Sequence, residues 1–239
     1  MEAFVNELTQ RAARMGIPLT QGQSEAFYTY YEMLKEANAR FNLTRVADNA
    51  EDFIDRNLLD SLAPILSERL SGVHTLIDVG TGAGFPGLPI AIARPDIRVT
   101  LLDALDKRVQ FLRSIVDTLQ LNAEVLHGRA EDLARRAGYR ERCDVACARA
   151  VASVNVLGEY LLPFVRPEGW MLALKGPGLE DELAAAGNAL EILGGGERCI
   201  EEAPIPGREW QHRLLWVRKS RPTPEKYPRR SGMPEKRPL

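Results

Sequence analysis

The spacing of apolar residues along the chain changes near residue 73. Before that point they recur at intervals of three and four residues, which is typical of amphipathic helices. The first predicted helix buries Phe4 and Leu8 and ends at the Gly16-Ile-Pro18 segment. Thr20 can cap a second helix, and a third is predicted from about Ala50. We therefore expect residues 1–72 to form a helical region.

From His74 onward, short apolar runs alternate with amphipathic segments. Helices are predicted over residues 106–121 and 151–165, among others. This alternation indicates an α/β domain whose largely parallel sheet is covered on both faces. The last two strands have a short connection around Pro204-Ile-Pro-Gly207, so we expect them to pair antiparallel. The predicted strands are residues 75–79, 98–102, 123–127, 143–148, 169–175, 198–203 and 212–218.

Composition excludes several classes of protein. The 239 residues are 45% hydrophobic, as in ordinary globular proteins, and no apolar run approaches the roughly 20 residues of a membrane span. The N-terminus lacks the basic-then-apolar plan of a signal peptide, and three cysteines without paired spacing favour a reducing compartment. The three histidines are too scattered to indicate a metal site. We expect a cytoplasmic protein with no bound metal.

Positive charge is concentrated at the C-terminal end. Residues 218–239 carry eight Lys or Arg and two Glu, whereas the whole chain has a net charge of −2. A basic segment on an acidic body favours a localised contact with phosphate groups. A solvated tail that keeps the protein in solution is the alternative. The proline-rich segment 221–239 is expected to be extended, with little core of its own.

The segment Leu76-Ile-Asp-Val-Gly80-Thr-Gly82-Ala-Gly84 says most about function. An apolar strand is followed by glycines at alternate positions and then by a helical segment, an arrangement that brings backbone N–H groups close to a nucleotide-like ligand. Asp103 ends the next predicted strand, 23 residues after Gly80. A carboxylate at this spacing can accept hydrogen bonds from ribose hydroxyls. Together these features predict a site for an adenosine-containing ligand. Glycines that serve only the turn are the alternative.

The charge at the end of the first strand distinguishes between such ligands. NAD-binding folds normally use Gly-x-Gly-x-x-Gly, with a pyrophosphate at the helix N-terminus. Here the spacing is Gly80-x-Gly82-x-Gly84, and Asp78 precedes it. A carboxylate there would repel a pyrophosphate but suits a ligand with sulfonium and ammonium groups. We therefore favour S-adenosylmethionine as the cofactor, and a methyltransferase over an NAD-dependent oxidoreductase.

With these features, the chain resembles the class I S-adenosylmethionine-dependent methyltransferases. More narrowly, it resembles the small-subunit ribosomal RNA guanine-N7 methyltransferases, also called glucose-inhibited division protein B. The resemblance implies a Rossmann-like, mostly parallel seven-stranded sheet with an antiparallel last strand. It also implies an N-terminal helical extension (1–72), a methyltransferase domain (73–220) and a basic tail (221–239). The segments that carry it are residues 41–44, 59–61, 78–89, 102–108, 129–131, 148–150, 173–176 and 226–239.

The resemblance assigns the cofactor contacts residue by residue. They are Gly80, Phe85, Asp103, Ala104, Leu105, Ala130, Glu131 and Arg149. Phe85 as a core residue and Glu131 as a helix cap are the alternatives for those two. Arg149 is expected to position either the methionine carboxylate of the cofactor or the target nucleotide. A solvent-exposed arginine at a strand end is the alternative. The family usually has a histidine at the position of Asn57, which puts a catalytic role for that side chain in doubt.

Methylation at guanine N7 needs no general base, because N7 carries an in-plane lone pair and no proton. Catalysis then consists of aligning the reacting atoms in a dry pocket. The chain has no evident acid–base pair, which is consistent with that mechanism. A covalent route through Cys147 is the alternative, although Cys143 and Cys147 alternate on a predicted buried strand. The implied reaction transfers a methyl group from S-adenosylmethionine to N7 of a guanine in 16S ribosomal RNA.

The implied partner is the small ribosomal subunit or its 16S RNA, and a monomer is favoured. Phe41 and Asn42 are candidates for seating the target base. Loss of residues 221–239 is expected to impair RNA binding but not cofactor binding. Two other functions stay open: a methyltransferase for a small molecule or protein, and a non-catalytic ribosome-assembly factor that retains the cofactor fold. The candidate phosphate contacts are Lys175, Arg213, Lys226, Arg229, Arg230, Lys236 and Arg237.

Overall fold

The computed structural model describes residues 1–41 and 49–239. Seven strands form its sheet: β1 (Thr75–Val79), β2 (Arg98–Asp103), β3 (Ala123–His127), β4 (Cys143–Arg149), β5 (Val165–Lys175), β6 (Gly195–Glu202) and β7 (Arg213–Lys219). Their order is β3-β2-β1-β4-β5-β7-β6. The first five strands pair in parallel, whereas β7 is antiparallel to β5 and to β6. Every predicted strand is present, and the antiparallel pairing of the last two is confirmed.

Helices cover both faces of this sheet. The α-helices of the described residues are α1 (Glu2–Arg14), α2 (Gln21–Phe41), α3 (Ala50–Phe53), α4 (Asp60–Leu62), α5 (Gly87–Ala93), α6 (Asp106–Leu119), α7 (Ala130–Leu133), α8 (Val154–Leu161), α9 (Leu179–Ala186), α10 (Ala189–Ile192) and α11 (Met233–Lys236). Of these, α6 and α8 correspond to the helices predicted over residues 106–121 and 151–165.

The central strand β1 separates two apolar cores. Leu76 packs with the N-terminal helices, whereas Ile77 packs with α8 and α10 on the opposite face. Both side chains are buried, because successive residues of a strand point to opposite faces. A parallel strand covered on both sides must be apolar at nearly every position, which explains the continuous apolar run in the sequence. The carboxyl end of β1 therefore emerges at the middle of the sheet, where the strand order reverses.

The third predicted helix is interrupted by a wider turn. Asn49 caps its start, because the Asn49 side-chain oxygen accepts a 2.8 Å hydrogen bond from the Asp52 amide. A π-helical segment over Ile54–Leu59 then separates α3 from α4. The amide of Asp60 donates to the carbonyl of Asp55, five residues earlier. Such wider turns often occur at functional sites, and this one presents Asp60 toward the end of the sheet.

The C-terminal tail differs from its prediction. It was expected to be extended, with little core of its own, but it folds back over α8 and ends in the short helix α11. Tyr227 is 7% exposed and packs against the core on that face. The guanidinium of Arg229 binds the buried carboxylate of Glu159 through two nitrogens, at 2.9 and 2.6 Å. Polar contacts of this kind produce no periodic pattern of apolar residues, so the spacing of apolar residues does not predict the docked tail.

Candidate active site at the carboxyl ends of β1, β2 and β4

Asp78 organises the turn after β1 from inside the protein. Its side chain is fully buried, and its Oδ2 accepts hydrogen bonds from the Thr81 hydroxyl at 2.6 Å and the Gly87 amide at 2.8 Å. Burial, with a smaller contribution from Asp103, raises the pKa of Asp78 to about 6 despite those hydrogen bonds and the charge of Arg149. Asp78 thus stabilises the turn through buried hydrogen bonds, whereas the sequence predicted that its carboxylate would face a cationic ligand.

The glycines of this turn are required by backbone geometry. Gly80, Gly82 and Gly84 have φ angles of 70°, 63° and 113°, which side-chain-bearing residues rarely adopt. A Cβ on Gly80 would lie 3.0 Å from Val151 Cγ2, and one on Gly84 would lie 2.3 Å from Leu88 Cδ1. The turn is therefore restricted to glycine by conformation at all three positions, and by close packing at two.

Asp103 joins the ends of β1 and β2. Its Oδ2 accepts a 2.9 Å hydrogen bond from the Gly82 amide, and its Oδ1 accepts one of the same length from the Leu105 amide. Arg108 lies 3.4 Å from Oδ2. A carboxylate has about four acceptor positions, so the two short bonds leave capacity for further donors. Asp103 lines the cleft described next, where such a donor can approach.

Two adjoining cavities lie at this edge of the sheet. The larger, of about 480 Å³, is lined by Gly80, Phe85, Asp103, Ala104, Leu105 and Arg149, among others. The smaller, of about 120 Å³, adds Ala130 and Glu131 and shares Gly80, Asp103 and Ala104 with the first. All eight predicted cofactor residues therefore surround one continuous cleft, whose size lies within the range of small-molecule sites.

A third cavity, of about 440 Å³, begins on the other side of Arg149. Arg149 and Ala150 line both this cavity and the larger part of the cleft. The guanidinium carbon of Arg149 lies 4.8 Å from the centroid of the Phe85 ring. Ala150 has a φ of 54°, a left-handed conformation that is uncommon outside glycine and concentrates at functional sites. The other residues around the third cavity are Asp60, Leu174, Lys175, Gly176, Glu182 and His212.

Asp60 and His212 are polar residues of this site that sequence reasoning missed. Asp60 Oδ1 lies 2.7 Å from His212 Nδ1, and Asp60 Oδ2 accepts a 2.9 Å hydrogen bond from Arg149. Burial opposes ionisation of Asp60, but the hydrogen bond with His212 and the charge of Arg149 outweigh it, so the pKa of Asp60 lies below its usual range. Because an ionised carboxylate can only accept hydrogen bonds, we place a proton on Nδ1 of His212, which donates it to Asp60.

Several predicted contacts have intramolecular partners. Glu131 accepts a hydrogen bond from the Gly232 amide at 2.8 Å, so its carboxylate faces the tail. Lys175 donates to the Ala152 carbonyl and pairs with Glu182 at 2.6 Å. Arg213 pairs with Glu180 and Glu202. Lys226, Arg230, Lys236 and Arg237 are exposed.

Three further sequence hypotheses concern Cys147, Asn57 and the 41–44 segment. Cys147 is fully buried, and burial raises the pKa of its thiol well above the usual value, which disfavours a nucleophilic role. Asn57 is 8% exposed and does not line the cavities described above. Residues 42–44 and the side chain of Phe41 lie outside the described residues.

The sheet order, the reversed β7 and the glycine turn beside Asp103 define a class I methyltransferase fold. Two solved structures have a similar fold. A cofactor-bound protein from MTB, Rv0187, aligns with a TM-score of 0.54 at 19% identity, covering 82% of this chain and 91% of its own. Fibrillarin from Aeropyrum pernix, solved with S-adenosyl-L-methionine, aligns with a TM-score of 0.50 at 14% identity, covering 66% and 72%.

Sequence relatives identify the family. The family described as rRNA small subunit methyltransferase G, or GidB, matches residues 23–208. A relative named Ribosomal RNA small subunit methyltransferase G from Leuconostoc citreum is 44% identical, over 100% of this chain and 99% of its own. One of the same name from Moorella thermoacetica is 45% identical, over 94% and 93%. The chain belongs to the rRNA small subunit methyltransferase G family, which confirms the family and fold expected from the sequence.

Proposed function

We propose that this protein transfers a methyl group from S-adenosylmethionine to N7 of a guanine in 16S ribosomal RNA. The observation that carries the proposal is the position of Arg149, which lines both the cleft beside Asp103 and the separate cavity beside Asp60. Methyl transfer requires two adjoining pockets that open onto each other, one for the donor and one for the acceptor. The relatives' name, Ribosomal RNA small subunit methyltransferase G, supports ribosomal RNA as the acceptor.

The residues around the cleft suit an adenosine-containing donor. Asp103 has acceptor capacity for ribose hydroxyls. Gly80 lines the same cleft, and a Cβ there would crowd Val151, another residue of its wall. In this proposal Ala104, Leu105 and Ala130 line the nucleoside end, and Arg149 holds the methionine carboxylate. S-adenosylmethionine, when bound, supplies an electrophilic methyl group on a sulfonium.

The third cavity suits a guanine base. Guanine presents N–H donors on its Watson–Crick edge and acceptors at O6 and N7, and enzymes that modify a base commonly read it after extrusion from the stack. Asp60 and Glu182 supply carboxylates to this cavity, and Lys175 supplies an ammonium donor. His212 lies beside them, with its Nδ1 proton donated to Asp60. The mixed charges match the mixed donors and acceptors of guanine.

The side chains act on the reaction by charge and position. N7 has no proton to lose, so the site needs no general base, and the positive charge moves onto the purine during transfer. The ionised Asp60, buried and held by Arg149 and His212, lies where it can stabilise that charge. Phe85, beneath Arg149, helps to exclude water.

The setting of the enzyme follows from the same proposal. No helix within residues 1–41 and 49–239 is long and apolar enough to cross a membrane. We propose that the protein works as a monomer in the cytoplasm, where small ribosomal subunits are available. We also propose that the helical extension 1–72 contributes Asp60 to the methyltransferase domain 73–220.

Isotope transfer tests this function. The full chain is incubated with S-adenosylmethionine carrying a labelled methyl group and with small subunits that lack the modification. Naked 16S RNA, bulk protein and a metabolite extract serve as parallel acceptors. We expect label in 16S RNA and strand cleavage by aniline at one guanine. Binding of the donor without transfer would indicate a non-catalytic assembly factor, and label only in protein or metabolites would indicate another acceptor.

A further inference from the structure

The C-terminal tail contacts the protein through buried polar groups. The Thr223 amide donates to Glu141 at 2.7 Å, and its hydroxyl donates to the Leu193 carbonyl at 2.7 Å. Arg140 then donates to the Tyr227 carbonyl at 2.9 Å. The carboxylate of Glu159, only 1% exposed, binds Arg229. A buried ion pair with several hydrogen bonds fixes its partners in one geometry, so the tail has a defined docked position.

Beyond Arg229, the tail reaches the smaller end of the cofactor cleft. The Gly232 amide donates to Glu131, one of the predicted cofactor residues. Glu235 accepts a 3.1 Å hydrogen bond from the Tyr160 hydroxyl. Burial, together with the nearby carboxylates of Glu131 and Glu235, raises the pKa of Tyr160, which keeps this hydroxyl protonated as a donor.

Glu235 lines the 120 Å³ cavity together with Asp103, Ala104 and Ala130. This cavity is the continuation of the cleft past Asp103, on the side of β2 and β3. If Asp103 holds the ribose, the base of the nucleoside enters this end. Adenine carries an exocyclic amine, which is a hydrogen-bond donor. The carboxylate of Glu235 is an acceptor on the cavity wall that this amine would face.

We propose that the tail forms the outer wall of the adenine pocket, with Glu235 as a cofactor-binding residue. The proposal rests on the function proposed above, because it takes the cleft to hold an adenosine cofactor. It reverses the expectation that losing residues 221–239 leaves cofactor binding intact. By linkage, a ligand that binds better to the docked tail also holds the tail in place.

Calorimetric titration with S-adenosylhomocysteine tests the binding role. We expect Glu235→Ala to weaken affinity by about 10-fold or more, the effect of losing a charged hydrogen-bond partner. The matched control is Glu225→Ala, which removes an exposed carboxylate from the same tail away from the cavity. Tyr160→Phe keeps the aromatic ring and removes only the hydroxyl that orients Glu235, so a smaller loss of affinity is expected.

Limited trypsin digestion tests the linkage in the unaltered protein. The exposed Lys226, Arg230 and Lys236 provide cleavage sites within the tail, whereas trypsin does not cut the bond between Arg237 and Pro238. We expect S-adenosylhomocysteine to slow cleavage at these sites in the wild type, and to do so much less in Glu235→Ala. Equal affinities of Glu235→Ala and Glu225→Ala, with unchanged tail cleavage, would overturn the inference. A wild-type protein that fails to bind S-adenosylhomocysteine would instead contradict the proposed function.

Discussion

Asp60 and Arg149, 89 residues apart in the sequence, form a hydrogen-bonded ion pair of 2.9 Å at the junction of two cavities. Asp60 comes from the N-terminal helical region and Arg149 from the end of β4. The pair therefore joins the two parts of the chain at the point where donor and acceptor would meet. This relationship makes the helical region part of the site that we propose for methyl transfer.

Removing the charge of Asp60 should slow methyl transfer while leaving cofactor binding nearly unchanged. Asp60→Asn keeps the size of the side chain but withdraws the negative charge from the cavity that we assign to the base. We expect kcat/KM for small subunits to fall about 10-fold or more, while affinity for S-adenosylhomocysteine changes little. Asp52→Asn, eight residues earlier in α3 and paired with Arg208, is the control. Equal rates for the two variants would exclude a role for Asp60.

Asp103 should contribute to cofactor affinity. Asp103→Ala removes a carboxylate from the cleft, and we expect S-adenosylmethionine to bind more weakly by roughly 1–3 kcal/mol. Calorimetry measures the loss, and the control is Asp106→Ala, an exposed carboxylate three residues later. Because Asp103 also binds the Gly82 and Leu105 amides, the free energy of unfolding should be measured as well. Unchanged binding would remove Asp103 from the site.

Two glycines of the same turn should differ in their tolerance of alanine. Gly82→Ala meets open space and has only an unfavourable φ to accommodate, so we expect it to lower the free energy of unfolding by about 1–2 kcal/mol. Gly84→Ala adds a clash with Leu88, whose Cδ1 would lie 2.3 Å away. We expect a further loss of about 1–3 kcal/mol from overpacking, measurable by urea unfolding. Equal losses would show that the packing around Gly84 is loose.

Asp78 should make stability depend on pH in the cofactor-free protein. Its pKa is raised from 3.8 to about 6 by burial, so the folded state favours the protonated form. The stability that this preference provides is present below the unfolded-state pKa and is lost as pH rises through about 6. We expect Asp78→Asn to gain in Tm relative to the wild type as pH rises from about 4 to about 6, and the gain to level off above about pH 7. A difference that is constant with pH would contradict the raised pKa.

The sheet could be read from the sequence because buried parallel strands have a strong apolar signature. β2 was predicted over residues 98–102 and extends over Arg98–Asp103. The start of β5 was missed by four residues, because Arg166, Pro167 and Glu168 are exposed and carry no apolar signal. Asp103 and the glycine turn were found because their spacing is local and characteristic.

Long-range polar contacts could not be read in this way. Asp60 and His212 are 152 residues apart, and neither position has a neighbour in sequence that predicts the pairing. The π-helical turn that presents Asp60 contains neither glycine nor proline to mark it. The docked tail depends on bonds such as Arg140 to the Tyr227 carbonyl, which leave no periodic pattern. Such contacts become visible only once the fold brings distant residues together.

The most direct measurement is the chemical identity of the methylated nucleoside. Small subunits are treated with the full chain and with S-adenosylmethionine bearing a deuterated methyl group, and the digested 16S RNA is analysed by mass spectrometry. We expect deuterium in 7-methylguanosine, in amounts that fall with Asp60→Asn and Asp103→Ala. Deuterium on an exocyclic amine or a pyrimidine carbon, or none in RNA at all, would contradict the proposed transfer to guanine N7.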